Sequence, residues 1–381
     1  MTSPSTRARR SLRRRIRLAL IALAAAALAM LAVACGDDGS TATATPGSAT
    51  ATAQPAATAS ATAAATATAA ATAASADLTK VTLMLNWTPN NHHAGIYLAR
   101  ANGWYEEAGL DVDIVEPASS GTDAVVGAGQ AEFGISVAES VLPARAAGVP
   151  IVSIATVIPH NDSSLMALAS TGIERPRDLA GKTYGGFGGA LERELIDTLV
   201  ACDGGDPSTV TFVDVGNVDY ISGMEQGRYD FVWVFEGWDA LRAREVLGKD
   251  INTIKFIDHT DCIPDWYTPL IITNESMIAD HADVVRAFLE ATARGYDLAI
   301  AQPADAAAAL LAAAPELDPA LVNPSATYHA PLYADAGRPW GIQDAAVWSR
   351  FEEFLRTAGL LDAEVDVAAT FTNDYLPGQG G

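Results

Sequence analysis

Trp87 follows a short apolar run, residues 81–85, and opens a Trp-Thr-Pro turn. The carboxyl end of a strand is where open α/β sheets bind small molecules. A flat heterocycle needs π faces to stack on and a few fixed polar groups to read its edge. Trp87 is therefore expected either to face such a ligand or to serve ordinary packing. Asn86 alternates to the opposite face and offers an amide. Asn91, His92 and His93 come next. Adjacent histidines point apart in helix or strand, so no metal site is expected there. His93, with Asn91, is expected to donate a hydrogen bond to ligand, the alternative being residues at a helix start that face solvent.

A second set lies further along. Gly185-Gly186-Phe187-Gly188-Gly189 leads into a predicted helix carrying Glu192. Backbone N–H groups at such a start, Gly186 among them, can face a carbonyl or anion, and Phe187 can cover a ring. Glu192 either accepts from an exocyclic amine or simply complements the helix dipole. Glu236 follows the buried-looking strand 231–235 and is the candidate for pairing with the amine-bearing edge of a ligand, with Trp238 stacking nearby. A solvated loop glutamate is the other reading of Glu236. Trp266 and Tyr267 fall where the chain is expected to cross between lobes, as pocket residues or as hinge packing.

The elements around these residues alternate strand and helix, which argues for an α/β fold with largely parallel sheets. Strands are expected at 81–85, 110–115, 133–136, 183–185, 210–215, 231–235 and 270–273, with helices at 93–108, 121–128 and 191–200. Beyond residue 273 the pattern is helical to about 359. The strand–helix pattern restarts after Leu179-Ala180-Gly181-Lys182, which implies a second lobe inserted into the first. Among other motifs, no phosphate-binding glycine loop and no nucleophile elbow appears.

The first 35 residues follow different rules. Seven arginines precede an apolar run of residues 18–34 that ends at Cys35, the form of an export signal. Residues 36–77 are almost entirely Thr, Ala, Ser, Pro and Gly, too poor in large apolar side chains to offset the entropy of ordering, and read as a tether. The chain has 24 basic and 46 acidic residues for a net charge of −22. That balance disfavours nucleic acid, which needs a positive face to displace counterions. After Cys35 only Cys202 and Cys262 remain, either a bridge in an oxidising compartment or two buried thiols.

Four motifs carry a family resemblance: Leu85-Asn86-Trp87-Thr88-Pro89-Asn90-Asn91-His92-His93; Ala101-Asn102-Gly103-Trp104-Tyr105-Glu106-Glu107-Ala108-Gly109-Leu110-Asp111-Val112; Asp178-Leu179-Ala180-Gly181-Lys182; and Asp265-Trp266-Tyr267. Together they resemble the thiamine-pyrimidine-precursor family of periplasmic solute-binding proteins, which includes formylaminopyrimidine and hydroxymethylpyrimidine binders and riboflavin-binding relatives. The resemblance implies a bilobal type II periplasmic-binding-protein fold, with lobe one from 78–175 and 267–375 and lobe two from 176–266. It implies a monomer that closes on a small heteroaromatic ligand, needs no cofactor and delivers the ligand to an ABC-transporter permease. Trp87 is a pocket residue in the family, and Glu192 matches an acidic position. Asn86 departs from the family, which often has Asp there. Leu31-Ala32-Val33-Ala34-Cys35 resembles a lipoprotein cleavage site, although the leucine lies one position early, and implies lipid anchoring at the outer face of the cell membrane.

Two other functions compete with this one. The eukaryotic thiamine-pyrimidine synthase resembles the same fold, but its Cys-rich run is represented here by Cys262 alone. Its pyridoxal-phosphate lysine aligns near Pro143-Ala144-Arg145, where no Lys occurs. Arginine cannot form the Schiff base. The other competitor is a binder of riboflavin or of a sulfonate-like anion.

Overall fold

The computed structural model describes residues 78–379. The expected export signal, tether and Cys35 lie outside the described residues. The first half of the fold contains β1 (Thr79–Met84), α1 (Ala94–Ala101), α2 (Trp104–Glu107), β2 (Leu110–Val115), α3 (Thr122–Gly127), β3 (Phe133–Ser136), α4 (Ala138–Ala146) and β4 (Ile151–Thr156). The chain then crosses to β5 (Ser163–Leu168), β6 (Thr183–Gly186), α5 (Ala190–Cys202), β7 (Thr211–Asp214), α6 (Tyr220–Glu225), β8 (Phe231–Phe235) and β9 (Ile251–Lys255). It returns through β10 (Leu270–Asn274) to α7 (Glu275–Asp280), α8 (Ala282–Ala301), α9 (Pro303–Ala313), α10 (Pro319–His329) and α11 (Ala345–Thr357).

Two five-stranded sheets result, ordered β2-β1-β3-β10-β4 and β7-β6-β8-β5-β9. They share one plan. In each, four strands run in one direction, and the strand that has just crossed from the other lobe pairs antiparallel with its neighbours: β10 with β3 and β4, β5 with β8 and β9. The expectation of largely parallel sheets therefore needs correcting at these two strands. The lobe boundary also moves. Because β5 lies inside the second sheet, the first crossing falls between Thr156 and Ser163 rather than at residue 175. Sequence periodicity missed β5 because it begins Ser163-Ser164, polar residues that are nonetheless buried. The hydroxyl of Ser164 explains how, since it donates to a buried carboxylate of the same lobe, Glu236, at 2.9 Å.

Helices α1 and α8 cross unusually closely. A Cβ on Gly295 would lie 1.9 Å from the carbonyl oxygen of Gly95, and one on Gly95 would enter the Tyr296 ring. Only glycine at both positions permits that approach, which seats α8 on the first sheet. At the return crossing, Trp266 is fully buried, stacked on Phe351 of α11 at 4.7 Å and packed against Trp233 and Phe256 of the second lobe. Cys202 and Cys262 form a disulfide that ties α5 to the segment entering this crossing. Among the described residues no helix is long and apolar enough to cross a membrane.

Candidate functional site

The carboxyl ends of β1 and β3 face those of β6 and β8, and a cavity of about 650 Å³ lies between the two sets, lined by residues of both lobes. Lobe one supplies Asn86, Trp87, Asn90, His92 and Glu139; lobe two supplies Tyr184, Phe187, Glu192, Tyr220, Trp233, Phe235, Trp238, Asp239 and Arg242. Trp87 and Phe187, one from each lobe, are 41% and 52% exposed. Large aromatic side chains usually bury more than that. Two such rings left open at one cleft provide faces that a flat ligand can cover.

The expected residues separate into three groups. Asn86, Trp87, Gly186, Phe187, Glu192 and Trp238 line the cavity. His93 acts one step back: its Nδ1 accepts from the Asn90 N–H at 3.4 Å, and its Nε2 meets Asn86 Oδ1 at 3.2 Å. Burial holds His93 down at about 3, so the ring is neutral and, with Nδ1 accepting, donates from Nε2. The Asn86 oxygen is thereby occupied, and its NH2 is left toward the cavity.

The third group is placed elsewhere. Asn91 is buried and donates from Nδ2 to the Val322 carbonyl at 3.0 Å, pinning α10. Glu236 does not reach the cavity. It is 3% exposed, with Arg244 Nη1 on Oε1 at 2.6 Å and the Ser164 hydroxyl on Oε2. The chain winds into a π-helical segment at Glu236–Ala240, which turns this side chain onto β5 and β9 instead of along the strand's alternation. Trp266 and Tyr267 are hinge packing: both are buried, and the Tyr267 hydroxyl accepts the Asp344 N–H at 2.7 Å.

The glycine loop also differs from expectation. The N–H groups of Phe187 and Gly189 both donate to the Glu192 carboxylate, at 3.0 and 2.8 Å, and Tyr184 donates its hydroxyl at 3.0 Å. The helix's own glutamate thus occupies the place an anion would take. The Phe187 N–H is shared between both oxygens, at 3.0 and 3.2 Å, so the three donors make four contacts and fill the carboxylate's about four acceptor positions.

Two acids were not found from sequence. Glu139, on the first turn of α4, accepts from Trp266 Nε1 at 2.9 Å and from the Thr268 hydroxyl at 3.4 Å. Burial outweighs those donors and pushes it up to about 7. Asp239 is raised by burial to about 6, against the Phe235 N–H that it accepts. Position after β3 was an available signal for Glu139, since a strand's carboxyl end followed by a helix start is a binding position. Trp233 and Phe235 were legible as alternate residues on one face of β8.

The cavity is therefore aromatic on both walls and rich in acceptors, with Arg242 as its lining cation. Such a lining suits a planar molecule bearing amine donors and opposes an anion.

Comparisons with known proteins agree with this architecture. The chain is 29% identical over 305 residues to a formylaminopyrimidine-binding protein of Halalkalibacterium halodurans, covering 78% of this chain and 90% of that protein. It is 26% identical over 301 residues to a 4-amino-5-hydroxymethyl-2-methylpyrimidine phosphate synthase of Legionella pneumophila, covering 78% and 93%. The alkanesulfonate-binding protein SsuA of Xanthomonas axonopodis superimposes with a TM-score of 0.59 at 15% identity, covering 78% of this chain and 99% of that one. That likeness establishes the bilobal type II periplasmic-binding-protein fold. The NMT1/THI5 like family profile matches residues 90–306, more than half of the chain, so the chain belongs to that family.

Proposed function

We propose that this chain is the substrate-binding lipoprotein of an ABC importer and captures an aminopyrimidine precursor of thiamine between its lobes. The observation that carries the reading is the pairing of an open Trp87 with an open Phe187 across a cleft whose polar groups are mainly acceptors. A ring held between those faces would present its amine edge to Glu139 and a ring nitrogen to the Asn86 amide, while Glu192 holds the Phe187 loop in place. Lobe closure would then gather groups from both sides onto one small molecule and give the permease a closed form to recognise. Attachment through Cys35 and an extracytoplasmic location belong to the same reading, as does a monomeric state.

Binding without chemistry is preferred to a synthase-like role because Pro143-Ala144-Arg145 has no Lys and Cys262 is already paired with Cys202. The test is titration of the purified protein with 4-amino-5-hydroxymethyl-2-methylpyrimidine, its formylamino analogue, riboflavin and an alkanesulfonate, following tryptophan fluorescence. Saturable binding of the aminopyrimidines alone, lost in Trp87→Ala, is expected. Saturation by the sulfonate, or by riboflavin in preference, would sink the ligand assignment.

A further inference from the structure

Behind the cleft wall, three side chains from distant parts of the sequence converge. They are His92, beside the start of α1, Asp162 on the first crossing, and His329 at the end of α10; they are 6%, 8% and 1% exposed. One donor atom from each lies within 4.8 Å of the other two. His329 Nδ1 lies 2.8 Å from the Ser325 carbonyl oxygen, which can only accept, so Nδ1 carries the proton and the Nε2 lone pair points inward. That Nε2 is buried without a hydrogen-bond partner, and so is Nε2 of His92. Asp162 Oδ2 stands 3.8 Å from His329 Nε2, beyond hydrogen-bond reach. Asp162 is itself oriented by the Tyr328 hydroxyl on Oδ1 at 2.7 Å and by the Gly237 N–H on Oδ2 at 2.9 Å.

Buried polar atoms are nearly always satisfied, and two orphaned imidazole nitrogens facing one carboxylate call for a shared partner. We propose that His92, Asp162 and His329 bind one divalent transition cation of the zinc class. Two imidazoles and a carboxylate form a three-ligand set that leaves one position of a tetrahedron open, and nitrogen donors select this class over calcium or magnesium. Bonds of about 2.0–2.2 Å place tetrahedral donors roughly 3.4 Å apart, so donors within 4.8 Å of one another need to close by at most about 1.4 Å. The backbone carbonyl on His329 Nδ1 and the two donors on Asp162 are the supporting contacts that orient metal ligands. His92 also lines the cleft, so the cation would sit at its rear wall, beside the hinge.

The test uses the full chain stripped with a chelator, dialysed, and titrated with zinc against a chromophoric competitor, followed by X-ray absorption at the zinc edge. One zinc per chain with two imidazole nitrogens in its shell is expected. His92→Phe, which keeps the edge contact with Phe235, and His329→Gln should each weaken zinc by more than about 100-fold. His160→Gln, altering an exposed histidine bound to Asp265 and Asp335, should leave affinity unchanged. Failure of the folded wild type to retain zinc, a shell with fewer than two imidazoles, or undiminished affinity in either histidine-ligand variant would overturn the proposal. The wild-type spectrum decides the matter even if a variant fails to fold. Pyrimidine binding can succeed or fail independently of it.

Discussion

Replacing Glu139 by Gln should make the empty protein more stable and the binding site worse. Glu139 titrates at about 7 in the folded chain because burial disfavours its charge, against an ordinary value near 4.5. Below about 4.5 it is protonated in both folded and unfolded chains and costs nothing. Between about 4.5 and 7 the folded chain holds the proton that the unfolded chain has released, so stability falls as pH rises. Above about 7 the cost is complete, on the order of 3 kcal/mol at 1.36 kcal/mol per unit. Glutamine keeps an acceptor for Trp266 Nε1 and removes the charge. Thermal unfolding at about pH 8.5 should therefore favour Glu139→Gln by up to that amount, several degrees for a domain of this size, with little difference near pH 4.5. Calorimetric titration should show aminopyrimidine binding weakened by about 1–2 kcal/mol, roughly 5- to 30-fold, as a charge-assisted hydrogen bond becomes a neutral one. A variant no more stable at high pH would refute the burial argument. A stabilised variant with unchanged affinity would remove Glu139 from the site.

Other substitutions separate the pocket from its supports. Trp87→Ala and Phe187→Ala should each cost roughly 1–3 kcal/mol of affinity, read by titration, while unfolding curves barely change because both side chains are largely exposed. Glu236→Gln should do the reverse: denaturant unfolding should show a loss of roughly 2 kcal/mol as Arg244 loses its charged partner and one of the two acceptor oxygens becomes an NH2, with affinity per folded molecule unchanged. Cys202→Ser with Cys262→Ser opens a loop with a sequence separation of 60 and should cost roughly 4 kcal/mol by loop-closure entropy, measured as a lower midpoint under non-reducing conditions.

The elements legible in the sequence were those with a clean period. Leu110–Val115, Phe133–Ser136 and Phe231–Phe235 appear as strands at the predicted bounds, because alternation or a continuous apolar run marks a strand without tertiary help. β4, β5 and β9 were missed: serine, threonine and asparagine interrupt them, and only the completed sheet buries those groups. The aromatic half of the site was equally readable: Trp87 and Phe187 sit at strand ends, a position that topology alone gives to the cleft. The acidic half was not. Glu236 reads as a cleft acid, but a π-helical turn carries it behind the sheet, and no motif marks Glu139. Which carboxylate faces a cavity depends on one or two backbone torsions that residue type does not fix. His92, Asp162 and His329 span 237 positions of sequence and meet only when α10 folds against the crossing.

Native mass spectrometry of the protein purified from its own cells tests the central claim most directly. A single adduct with the mass of a small aminopyrimidine is expected, released when Trp87 is replaced by Ala. An adduct with the mass of a flavin or an alkanesulfonate, or an aminopyrimidine retained undiminished by the variant, would contradict it.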